Sequence, residues 1–181
     1  MAKVYPLRVT VNAKGEMLPL KFAEEAASLV EKTDRITYEV TSGGLLLKGI
    51  WERDLELASN QINKGYGKEL EFSKYSVEYI EGDPILEPIM NLELVSPEEH
   101  IGDVMGDINR RRGLLLASDV VEGGHMIKAR VPLSELIGYY ADLRRISPIE
   151  WIVKVEFCDY EPVPPSKGPD PNEPASAALR A

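Results

Sequence analysis

Two Gly-Gly pairs, Gly43-Gly44 and Gly123-Gly124, stand 80 residues apart, and the chain around them runs through the same order of elements twice. Each pair lies between two runs of β-forming residues, the pattern of a hairpin. Upstream of the first pair, Leu7, Val9 and Val11 alternate with Arg8 and Thr10, a half-buried strand over residues 6–12. Residues 18–32 follow at helical spacing, with Phe22, Ala26, Leu29 and Val30 on the inner face. Residues 36–41 and 45–50 form the hairpin, and residues 52–64 a second helix through Leu55, Ala58 and Ile62. A strand over residues 70–80 closes the set.

Glu81-Gly82-Asp83-Pro84 interrupts the chain, because Gly and Asp-Pro both disfavour continuing a strand. The order then repeats: strand 88–95, helix 96–112, strands 114–120 and 126–131 about the second Gly-Gly, helix 133–144, strand 149–157. Leu136, Ile137 and Tyr140 face inward on the last helix. A chain that runs βαββαβ twice is read most economically as two split βαβ units in tandem. The predicted class is α+β: two ferredoxin-like sandwiches with antiparallel sheets, spanning residues 1–81 and 85–160. Residues 161–181 are rich in Pro, Ser and Ala and poor in large apolar side chains, so a disordered tail is expected there.

The first helix of the second unit is the best marked. Ser96, Pro97 and Glu99 spell a capping box with proline at the first helical position, and Ile101, Val104, Met105 and Ile108 make one apolar stripe. Gly102 and Gly106 each cost about 1 kcal/mol of helix propensity relative to Ala, so a close approach to a sheet or a partner is expected on their side. Arg110, Arg111 and Arg112 fall where the helix dipole is negative, and Gly113 supplies the stop.

No stretch reaches the ~20 apolar residues of a membrane span, and no signal-peptide pattern opens the chain. One cysteine, Cys158, excludes an internal disulfide and suits a reducing, cytoplasmic setting. A formal charge of −9 argues against indiscriminate nucleic-acid binding and leaves only local cation clusters as contacts.

Residues 87–113, EPIMNLELVSPEEHIGDVMGDINRRRG, and residues 131–144, VPLSELIGYYADLR, closely resemble the last domain, domain V, of elongation factor G and its relatives the ribosomal protection proteins. GIWERDLE, residues 49–56, resembles a diverged form of the Gly-Met-Gly-Glu-Leu-His-Leu-Glu motif of domain III, with Trp51 and Asp54 in place of the motif's Gly and His. The resemblance implies domain III joined directly to domain V. It implies a ribosome-associated protein acting at the large-subunit factor-binding region and its rRNA, cytoplasmic, modulating translation. The GTPase phosphate loop, Gly-x-x-x-x-Gly-Lys-Ser/Thr, does not occur, so neither GTP binding nor an enzymatic activity is expected. Domains II and IV have no counterpart, and the family's Gly-Arg-Gly loop is replaced by Ser147-Pro148-Ile149-Glu150.

Arg110, Arg111 and Arg112 lead the candidate ribosome and RNA contacts, with Asn109 beside them, Arg144 and Arg145 at the end of the second helix, and His100 on the first turn. The plainer account is that cations at a helix end stabilise it by a few tenths of a kcal/mol, partly paired with Asp103 and Asp107. On that account, replacing the three arginines costs only modest helix stability. Whether the two basic helix ends are neighbours is open at this level. No catalytic constellation, metal-ligand spacing or cofactor motif occurs; His100 and His125 lack partners at ligand spacing. Two other readings stay open: a ligand- or protein-binding regulator on the same fold, and a deletion form of a full factor with domain IV excised. Exposed sheet faces or edges would also suit a homodimer.

Overall fold

A computed structural model describes residues 3–165. The chain divides into two compact units, the boundary falling between Tyr79 and Ile80.

In the first unit, β1 (Leu7–Ala13), α1 (Pro19–Ala27), β2 (Ile36–Thr41), β3 (Gly44–Gly49), α2 (Glu52–Tyr66), β4 (Leu70–Phe72) and β5 (Ser76–Val77) follow in order. The sheet order is β2-β3-β1-β4, with β5 also on β1, and every pairing is antiparallel. Alternation along β1 sends Leu7, Val9 and Val11 to one face, where Val9 stands opposite Leu47 and Val11 opposite Leu45. Phe22 and Ala26 of α1 and Leu55, Ala58 and Ile62 of α2 complete this core, all of them fully buried.

Two elements depart from the sequence reading. Helix α1 stops at Ala27 and not near Lys32, because the chain tightens there: Leu29 N–H donates to Ala26 O and Val30 N–H to Ala27 O, both three residues back. The single strand expected over 70–80 is two short ones. Between them Ser73 turns its hydroxyl to accept the Thr10 N–H at 2.9 Å, while its own N–H donates to Thr10 O. The departures from the family motif have local work to do. Trp51 is buried, and the Asp54 carboxylate accepts the Trp51 N–H at 3.3 Å and two guanidinium N–H groups of Arg35 at 2.8 and 3.1 Å, capping α2.

The second unit contains β6 (Leu86–Ser96), α3 (Ile101–Arg110), β7 (Leu114–Val121), β8 (Gly124–Pro132), α4 (Tyr139–Ile146) and β9 (Ile152–Pro162), in the sheet order β7-β8-β6-β9. Met90, Leu92 and Leu94 face Val131, Ala129 and Ile127 across the β6–β8 ladder, and Val104, Ile108, Tyr139 and Leu143 from the helices are buried with them. Both units are thus α+β, each an antiparallel sheet with two helices, consistent with tandem ferredoxin-like units.

The predicted start of α3 is corrected. Ser96 caps no N–H group; its hydroxyl bonds the Pro97 carbonyl, and a 3-10 turn over Glu98–His100 precedes the helix. The helix predicted over 133–144 is a 3-10 turn, Leu133–Leu136, followed by α4. Gly138 separates them with a left-handed φ of 79°. The expected disorder from Glu161 begins too early: Glu161 and Pro162 pair with Glu87 and Leu86 at the end of β9. The rest of that tail, from residue 166, lies outside the described residues. Gly102 and Gly106 receive no close neighbour; a Cβ at Gly102 would meet nothing within 4 Å, and one at Gly106 only the tip of Arg110 at 3.8 Å.

A basic helix end and its internal ion pairs

The last turn of α3 sorts the three consecutive arginines into different jobs. Arg111 closes the helix, and Arg112 takes the left-handed position with a φ of 58°. Gly113 N–H donates to Ile108 O at 2.9 Å; a Cβ on Gly113 would lie 2.6 Å from that oxygen, so glycine is needed here for closeness.

The Arg111 side chain turns inward. Its Nε donates to Asp107 at 2.8 Å, one terminal nitrogen to the Glu135 carbonyl at 2.6 Å and the other to Asp142 at 2.5 Å. Its guanidinium also lies 4.8 Å from the Tyr139 ring centre, a cation–π contact. Burial alone would lower its pKa, but the hydrogen bonds to Asp107 and Asp142 outweigh this and raise it.

Arg112 grips Glu87 in a bidentate pair at 2.7 and 2.9 Å and donates its Nε to Glu135 at 3.0 Å. Glu87 is 3% exposed, so this guanidinium neutralises a buried carboxylate. The Glu87 bond is the chief reason the Arg112 pKa is raised.

Arg110 points outward. Its side chain is 74% exposed and reaches Asp107 only at 3.4 Å. Arg145, 80% exposed, pairs with Asp142 at 2.7 Å. Asp107 and Asp142 therefore link Arg110, Arg111 and Arg145 in one chain of ion pairs. The end of α3 and helix α4 are neighbours, which spacing alone left open. Arg144 is exposed and makes no ion pair among the described residues. Asn109 is exposed beside Arg110. His100 stands apart at the other end of α3, about 15 Å away along a ten-residue helix, with its ring 6.5 Å from that of Trp151.

Four of the seven candidates, Asn109, Arg110, Arg144 and Arg145, thus present polar side chains to solvent, and Arg110 and Arg145 are joined through Asp107, Arg111 and Asp142. Arg111 and Arg112 are occupied internally. Their partners Glu87, Glu135 and Asp142 lie 23 to 31 residues away in sequence, so only Asp107, one turn back, was visible beforehand. Among the described residues no group of His, Cys, Asp and Glu side chains is placed to hold a metal ion, and no helix is long and apolar enough to cross a membrane.

Residues 84–170 match the family model described as Elongation factor G C-terminus. Elongation factor G of Cytophaga hutchinsonii is 52% identical over 83 residues, which are 46% of this chain and 12% of that protein. Elongation factor G 2 of Trichodesmium erythraeum is 46% identical over 80 residues, 44% of this chain and 12% of that protein. The chain therefore matches only 12% of the length of these curated relatives. A protein of Thermus thermophilus, known from its crystal structure, shares the fold with a TM-score of 0.61 at 19% identity, over 92% of this chain and 42% of that one. Over its C-terminal half the chain is thus related to the C-terminal region of elongation factor G.

Proposed function

We propose that this chain is a ribosome-associated, elongation-factor-G-like protein that acts in the cytoplasm at the factor-binding region of the large subunit and modulates translation there. It contributes no nucleotide hydrolysis and needs no GTP. The observation that carries the reading is the match of residues 84–170 to the elongation factor G C-terminus.

The contact surface is the outer side of α3 and the end of α4. Gly102, Gly106 and Asn109 or Arg110 recur at helical spacing on one side of α3, which is open to solvent at Gly102 and covered at Gly106 only by the tip of Arg110. A bare helix backbone lets an RNA strand come close, and the exposed guanidiniums of Arg110, Arg144 and Arg145 supply phosphate contacts. Arg111 and Arg112 act one step behind, holding α3 on α4 and on β6.

The test is co-sedimentation of the full chain with purified large subunits. Arg110, Arg144 and Arg145 replaced together by Gln should lower binding roughly tenfold or more, since three charge-assisted contacts are lost. Glu24→Gln with Glu25→Gln, on α1, should leave it unchanged. A folded triple variant that sediments like the parent rules out this surface, and a parent that fails to sediment at low salt rules out the ribosome reading itself.

A further inference from the structure

The first unit has a cleft that the ribosome reading does not use. It is an open groove of about 350 Å³, lined by Glu56, Ser59, Asn60 and Asn63 of α2 with Phe72 of β4 and Tyr75 of the β4–β5 connection. Positions 56, 59, 60 and 63 recur at helical spacing, so the four polar side chains form one stripe, flanking the buried Leu55, Ala58 and Ile62. A polar stripe alone is an ordinary solvated face, and a half-exposed Phe alone is ordinary too. Their juxtaposition is not: two aromatic side chains border a row of uncommitted amides.

The chemistry of the lining restricts what would fit. No cation is in the cleft lining, and neighbouring Arg53 is engaged by the Glu56 carboxylate at 3.2 Å, so a phosphate gains little there. Neither the Asn60 nor the Asn63 amide has a hydrogen-bond partner among the described residues, and each offers a donor and an acceptor side by side. Ser59 spends its proton on the Leu55 carbonyl at 2.8 Å and keeps lone pairs free. Burial, with the nearby charges of Glu56 and Glu52, pushes the Tyr75 phenol up to about 12, so it stays protonated and can donate.

We infer that this cleft binds a purine base carried by an uncharged nucleoside, stacked on Phe72 and Tyr75 and read at its edge by Asn60 and Asn63. A primary amide matches the adjacent N6 donor and N7 acceptor of adenine, and an aromatic ring supplies a face for any base. Glu56, which already accepts from Arg53 at 3.2 Å, has lone pairs left to accept an exocyclic amino proton. The same base arrives either free or unpaired in an RNA strand; with no cation in the lining and Arg53 engaged by Glu56, the free nucleoside is favoured. This inference is independent of the basic helix end, and either can fail alone.

Titration of the isotopically labelled full chain, followed through the Asn60 and Asn63 side-chain amide resonances, tests it. Adenosine should shift both saturably, AMP should bind more weakly, and methyl glucoside should leave them in place. Removing one stacking ring costs roughly 5- to 150-fold in affinity, so Phe72→Leu should lose that much. Asn63→Ala, at an exposed position that leaves the fold intact, should weaken adenosine without affecting ribosome co-sedimentation. A short adenylate strand binding more tightly than adenosine would assign the base to RNA. No saturable shift with either adenosine or the strand, equal shifts with methyl glucoside, or a folded Asn63→Ala chain that binds like the parent would each overturn the inference.

Discussion

Arg112 holds a left-handed backbone that costs a residue with a Cβ roughly 1–2 kcal/mol, and its side chain forms the bidentate pair with Glu87. Arg110, two residues earlier, carries the same charge with almost no partner. The expectation that all three arginines could be replaced at modest cost is therefore corrected for two of them. Arg112→Gln would leave a carboxylate buried without its cation, and removal of one partner from such a pair costs about 3–5 kcal/mol. Arg110→Gln should change stability by no more than about 0.5 kcal/mol. Urea unfolding of the two variants measures the contrast, and equal midpoints would contradict it. Tyr75 offers a second measurement. Its folded pKa, about 12, lies above the ordinary value of 10, so the stabilisation from keeping it protonated is complete below pH 10. It is lost as pH rises through 12. Absorbance titration should show one tyrosine transition near pH 12 that disappears in Tyr75→Phe.

Period and punctuation were enough to read most elements from the sequence, because strands alternate by two and helices recur near four whatever they pack on. The order βαββαβ, both Gly-Gly hairpins and the inner faces of β1, α2 and α3 were legible in that way. Ends were not, since they depend on partners distant in the chain. Ser96 looked like a cap but bonds Pro97, and Glu161 looked like tail until Glu87 appeared opposite it. Gly138 was overlooked inside an apolar run, although its left-handed φ is what divides the predicted helix. Gly138→Ala should therefore destabilise by about 1 kcal/mol or more. Gly102→Ala should do the reverse, stabilising α3 by up to about 1 kcal/mol, since its φ is ordinary and the added methyl meets nothing. Thermal unfolding distinguishes the two signs. The candidate contact residues were legible as a list, but their division into exposed and internally paired groups required Glu87, Glu135 and Asp142 to be placed in space.

Across the whole molecule the charge is −9, so an approach to ribosomal RNA is repelled at long range and attracted only at the basic helix end. Salt acts on these two terms with opposite signs. Screening the diffuse repulsion strengthens binding as salt rises, with a Debye length of about 8 Å at physiological ionic strength. Phosphate contacts release counterions, so they weaken binding as salt rises, each contributing a slope of about −0.7 to −0.9 in log K against log salt. Three contacts from Arg110, Arg144 and Arg145 would give about −2 to −3, and the repulsion offsets only part of this at moderate salt. The full chain should therefore bind large subunits with a clearly negative slope between about 50 and 200 mM salt. Replacing Arg144 alone should make that slope shallower by about one contact. Replacing Arg111 should instead act through stability, because its guanidinium is already committed to Asp107 and Asp142. Sedimentation across a salt series, with unfolding measured on the same samples, separates the two effects. A flat or rising salt profile for the parent chain would mean that its net charge governs the encounter and that the basic helix end is only a structural joint.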